Sequence, residues 1–99
     1  MKHLITALAV SLAFVTQTHA QTNSDNTCTI WGNLAESSMV ARQKGYPLSK
    51  LLEKIKGNDL IREVIIGAYE EPRYRTQTYK RIAVQNYRNK WELICYRAK

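Results

Sequence analysis

Apolar residues recur at helical spacing along most of the chain beyond residue 28. With successive positions about 100° apart, Ile30, Trp31, Leu34, Ala35, Ser38 and Ala41 share one broad face, and Glu36, Gln43 and Lys44 lie opposite. This pattern predicts a first helix, capped by Asn26 or Thr27 and stopped by Gly45 ahead of Tyr46-Pro47. Leu48, Leu51, Leu52 and Ile55 form a second, short stripe that Gly57 ends. Asn58 suits the cap of a third helix with Leu60, Ile61, Val64, Ile65 and Ala68 inside. Pro72 forces that helix to finish near Glu71 or earlier. Thr76 or Thr78 starts a long last helix whose core face is Ala83, Val84, Tyr87, Trp91, Ile94, Cys95 and Ala98. No strand-like alternation of useful length competes. The expected fold is all-α: a single four-helix domain over residues 28–99, preceded by a loose polar tail at 21–27.

Residues 1–20 read as a secretory signal peptide. Lys2 supplies the positive start, Leu4 to Val15 is interrupted only by Thr6 and Ser11, and Thr18-His19-Ala20 ends on a small residue. The apolar run is shorter than the roughly 20 residues that span a bilayer. Cleavage is expected near Ala20, and the next residue, Gln21, is not the cysteine that lipoprotein processing requires. The mature chain is therefore expected to be periplasmic or secreted.

Export changes how the cysteines are read. Cys28 and Cys95 are the only two, they stand at opposite ends of the mature domain, and an oxidising compartment lets them pair. A metal pair or a reactive thiol is the alternative, but no His follows His19 and no second Cys lies near either one. A structural disulfide, stapling the first helix to the last, is the better reading. Trp31 and Trp91, each near a cysteine on the apolar face of its helix, are expected in the core.

Composition bounds the rest. Twelve of the 44 apolar residues lie in the first twenty positions, leaving enough for one modest core and no second one. The formal net charge of +7 is distributed unevenly. Residues 21–71 carry 6 basic and 7 acidic side chains, whereas residues 72–99 carry 8 basic ones and only Glu92. The candidate basic patch is Arg73, Arg75, Lys80, Arg81, Arg88, Lys90 and Arg97, interleaved with Tyr74, Tyr79, Tyr87, Trp91 and Tyr96. Basic residues among aromatics suit nucleic acid in a cytosolic protein. In an exported one they point to lipid phosphate, lipopolysaccharide, incoming DNA or an acidic protein surface. A merely solvated helix face is the alternative.

The run Leu34-Ala35-Glu36, Met39, Ala41-Arg42-Gln43, Gly45 and Pro47-Leu48-Ser49, followed by Ala68-Tyr69-Glu70, Pro72-Arg73-Tyr74, Trp91 and Cys95, resembles a group of small exported proteins. These are encoded by Gram-negative bacteria and their phages or prophages and carry no assigned activity. The resemblance covers nearly all of the mature chain and transfers no catalytic residue. In size, helical content and single disulfide the domain also resembles, in architecture alone, the small acid-stress chaperones of the bacterial periplasm.

Catalysis has little to work with. Without His in the mature chain the usual general base and its nucleophile pairs are missing. Glu70 and Glu71, as helix neighbours, point in different directions and read as a solvated helix end. No phosphate-cradling loop, metal-ligand cluster or cofactor motif is present. A second stripe on the last helix is more suggestive: Ile82, Asn86, Asn89 and Leu93, with Tyr79, Lys90 and Arg97 beside it. A helix apolar on two sides is either sandwiched within its own domain or offers one side to a partner. The expected function is non-enzymatic binding of an envelope or phage-related macromolecule, most naturally a protein, as inhibitor, chaperone or modulator. The rival is a basic module for anionic lipid, lipopolysaccharide or DNA.

Overall fold

Helix ends in this chain are set by local hydrogen bonding. The structure, a computed structural model, describes residues 26–99; residues 1–25, which hold the expected signal peptide and most of the expected tail, lie outside the described residues. Four helices follow one another: α1 over residues 26–44, α2 at Leu48–Glu53, α3 at Asp59–Glu70 and α4 at Gln77–Arg97. The described residues are 78% helical and include no strand, so the all-α reading holds. Residues 26 and 27 belong to α1 itself rather than to a tail or cap. At the other end of α1, Tyr46 N–H donates to the Ala41 carbonyl and Gly45 N–H to that of Arg42. This is a Schellman closure, and it requires the left-handed φ of 80° that Gly45 adopts without a Cβ penalty. Asn58 caps α3 by accepting from Ile61 N–H, and Thr76 caps α4 by accepting from Tyr79 N–H. Pro72 follows α3 by two residues.

The core lies between α1, α3 and α4. Ala35 and Met39 from α1, Val64 and Ala68 from α3, and Tyr87 from α4 are buried together, with Trp31, Leu34, Tyr69, Ala83, Val84 and Trp91 packed around them. The tryptophans thus flank the core, partly exposed, instead of filling it. Helix α2 packs on α3, and its leucines are half-buried. Cys28 and Cys95 form the disulfide, with Cα atoms 5.4 Å apart, and Cys28 is fully buried.

Three parts of the predicted core face differ. In α1 the buried positions are Cys28, Gly32, Ala35, Ser38, Met39 and Gln43, so Ile30, almost opposite that face, is 63% exposed. Gly32 is there because α4 crosses closely: a Cβ would come within 2.7 Å of the Glu92 side chain. In α3, Leu60 is exposed, and in α4 so are Ile94 and Ala98. These three line, with Trp31, Trp91, Cys95 and Lys99, an apolar hollow of about 280 Å³ beside the disulfide. The bridge closes this end covalently, and among the described residues no further element covers it.

Gln43 is the clearest reversal. Placed on the polar side by the sequence pattern, it is 3% exposed. Its amide nitrogen donates to the Pro72 carbonyl at 2.8 Å, and its amide oxygen accepts from Tyr74 N–H at 2.8 Å. Arg42 Nε donates to the Glu71 carbonyl at 3.0 Å, and the Tyr69 hydroxyl donates to the Tyr46 carbonyl at 2.6 Å. The end of α1 thereby supplies hydrogen bonds to a connection, residues 71–75, that makes few of its own. Substituting Gln43→Leu removes both amide bonds and is expected to cost about 2 kcal/mol. Faster amide exchange at Tyr74, alongside a lower denaturation midpoint, checks this; unchanged exchange there would refute the role.

Candidate functional site

The side of α4 turned away from the core carries the predicted stripe. Ile82 is 44% and Leu93 51% exposed, and Asn86 and Asn89 are exposed beside them. The stripe is not sandwiched within the domain. Its N-terminal half opens into a groove of about 290 Å³, lined by Glu71, Tyr74, Tyr79, Ile82, Ala83, Asn86, Tyr87 and Lys90. The rings of Tyr74 and Tyr79 meet there with centroids 6.1 Å apart, and Lys90 Nζ lies 5.7 Å from the Tyr87 ring centroid. Leu93 continues the same face about three turns beyond Ile82. The groove therefore joins exposed aromatic and aliphatic surface to amide and ammonium groups, a composition suited to a half-polar protein contact.

The predicted basic patch divides into separate environments. Arg88 is not a free cation: it pairs with Glu36 at 2.9 Å and with Glu92 at 3.6 Å, and also donates to the Asn33 side chain. It ties α1 to α4. Lys90 belongs to the outward groove, Arg97 stands in the last turn of α4, where a cation favours the helix dipole, and Arg75 is exposed in the connection. Only Arg73, Lys80 and Arg81 converge. They line an open cleft of about 440 Å³ between the end of α1 and the start of α4, together with Val40, Gln43, Lys44, Gln77 and Val84.

Both Arg73 Nε and Lys80 Nζ donate to the Gln43 carbonyl, at 3.1 and 2.8 Å. That oxygen is one of the unpaired carbonyls at the end of α1, and the two cations meet its negative helix end. The Arg73 guanidinium lies over Gly45, where a Cβ would stand 3.0 Å from it. Lys44, the fourth cation of the cleft, went unnoticed in the sequence pattern because it sits 29 residues before Arg73. Only the Gly45 reversal and the Gln43 contacts bring it to the same place.

The two tyrosines nearest the core are held protonated. Burial raises the Tyr69 hydroxyl above its ordinary value, partly opposed by the Arg42 guanidinium stacked on its ring. Burial raises Tyr87 likewise, with the Trp91 indole acting in the other direction; that indole N–H nevertheless meets no acceptor at hydrogen-bond geometry. Both act as donors to backbone carbonyls, which suits structure more than proton transfer. Among the described residues no group of three or more His, Cys, Asp or Glu is placed to hold a metal ion, and no helix is long and apolar enough to cross a membrane. Comparison with protein-family models, with curated proteins and with solved structures finds no match to this chain.

Proposed function

We propose that this chain is a small exported, non-enzymatic binding protein that engages an acidic, partly apolar protein surface of the cell envelope or of a phage. The signal-peptide pattern of residues 1–20 supports export, and the Cys28–Cys95 bridge is compatible with an oxidising compartment. The exposure of Ile82 and Leu93 carries the binding reading. Two large aliphatic side chains, aligned with Tyr79 on one helix face and unpartnered in their own domain, lose apolar contact with water only when something else covers them. Lys90 and Arg97 near this face supply charge for an acidic counterpart and a faster encounter.

The double variant Ile82→Asp/Leu93→Asp tests it. Both sites are at the surface, so helicity and melting temperature should stay nearly unchanged, within about 0.5 kcal/mol per site. Cross-linked capture of a discrete protein from envelope extract should be lost, while the unsubstituted chain retains it at about 0.5 M salt, where exposed charges are screened. Unaltered capture by the variant, or its unfolding, would overturn the reading.

A further inference from the structure

The cleft between α1 and α4 does not share a face with the outward stripe. On α4, Gln77, Lys80, Arg81 and Val84 point to the cleft side, and Ile82, Asn86, Asn89 and Leu93 to the side roughly opposite. The cleft collects Lys44, Arg73, Lys80 and Arg81, and no carboxylate lines it. None of the four forms an ion pair among the described residues. Arg73 and Lys80 answer the α1 carbonyl end through one bond each, which leaves both Arg73 Nη groups and two Lys80 protons unused. Among the described residues the Lys44 and Arg81 side chains make no hydrogen bond or ion pair, so the positive charge exceeds what the helix end needs.

Four cations around one hollow, with no carboxylate in its lining, repel one another, an arrangement that an anion of high charge relieves. A phosphate monoester carries nearly two negative charges near neutrality and three acceptor oxygens, and a guanidinium fork matches its geometry. The lining is not wholly polar. Val40 and Val84, both half-buried, line the cleft as well. They can pack against a carbon skeleton that enters the cleft. We infer that this cleft binds a small phosphate monoester bearing an apolar group, with Lys44, Arg73, Lys80 and Arg81 holding the phosphate and Val40 and Val84 the apolar part.

Phenyl phosphate is a suitable probe for the full mature chain, followed by calorimetry or by amide shifts. It should bind with shifts at residues 40–44 and 77–84. Phenol and inorganic phosphate should each bind about tenfold more weakly, since each lacks half of the contacts. Lys44→Gln/Arg81→Gln removes the two cations that hold nothing else in place. It should weaken binding about tenfold while the melting temperature moves by less than about 5 °C, and Arg81→Gln alone should weaken it about threefold. Raising the salt should weaken binding to the unsubstituted chain. Undiminished binding by the double variant would overturn the proposal, as would inorganic phosphate binding as tightly as phenyl phosphate. So would binding to phosphatidylglycerol vesicles with none to the probe.

Discussion

Reduction of the Cys28–Cys95 bridge is expected to destabilise the domain by about 4 kcal/mol, lowering its melting temperature by about 20 °C. The bridge joins residues 67 apart in sequence, so it closes nearly the whole described chain and restricts the unfolded state across that length. Compensation is scarce at this end of the molecule. The hollow lined by Trp31, Leu60, Trp91 and Ile94 leaves apolar surface uncovered among the described residues, just where α1 and α4 are joined. A domain of this size has only a few kcal/mol in reserve. Cys28→Ala/Cys95→Ala should reproduce the loss without reductant, which separates the effect of the link from that of the reagent. A melting temperature unchanged by both treatments would show that helix packing alone holds the ends together.

The second large effect centres on Tyr87. Its ring is 4% exposed, packed among Ala35, Met39, Val64 and Ala68, and its hydroxyl donates to the Val64 carbonyl of α3. Tyr87→Ala empties the middle of the core and should cost about 4 kcal/mol. Tyr87→Phe keeps the ring and removes only the hydroxyl's bond to a carbonyl that retains its own helical partner, costing about 1 kcal/mol. The neighbouring glycine makes the contact specific. A Cβ on Gly67 would stand 2.5 Å from the Tyr87 hydroxyl oxygen, while the next ring atom lies at 3.6 Å, an ordinary contact. Gly67→Ala should therefore destabilise the parent chain yet be tolerated in the Tyr87→Phe background, giving a coupling of about 1–2 kcal/mol in a double-mutant cycle. Strict additivity of the two changes would remove the hydroxyl from this account.

Alkaline titration offers an independent reading of the same side chain. Burial holds the Tyr87 hydroxyl above its ordinary value, so the folded state retains a proton that the unfolded chain releases sooner. The stability from this difference is present below the ordinary tyrosine value and is lost as the pH rises from there through the folded value. Tyr87→Phe should flatten part of that alkaline loss, and the remainder belongs in part to Tyr69, which is raised in the same sense.

What was legible in the chain is what neighbouring residues decide among themselves. Asn58, Thr76, Gly45 and Pro72 mark helix ends because capping bonds and backbone restrictions act within about four residues. The apolar period of α4 correctly predicted Ala83, Val84, Tyr87 and Trp91 at the core, and the two cysteines had no other partner to choose. Tertiary structure decided how far each helix is rotated and where its polar groups find bonds. Periodicity places residues relative to one another on a helix, but the direction of the buried face is set by what crosses it.

In α1 the Glu92 side chain over Gly32, the bridge at Cys28 and the 71–75 connection draw the Cys28–Gln43 face inward and leave Ile30 outside. Gln43 looked polar and solvent-facing because its partners, Pro72 and Tyr74, lie 29 and 31 residues away. Distance along the chain likewise hid the pairing of Arg88 with Glu36, 52 residues away, and the meeting of Arg81 with Lys44 in the cleft. Charge along the chain is a local count. Whether a cation stands free or compensated depends on which helix ends and carboxylates the fold brings beside it.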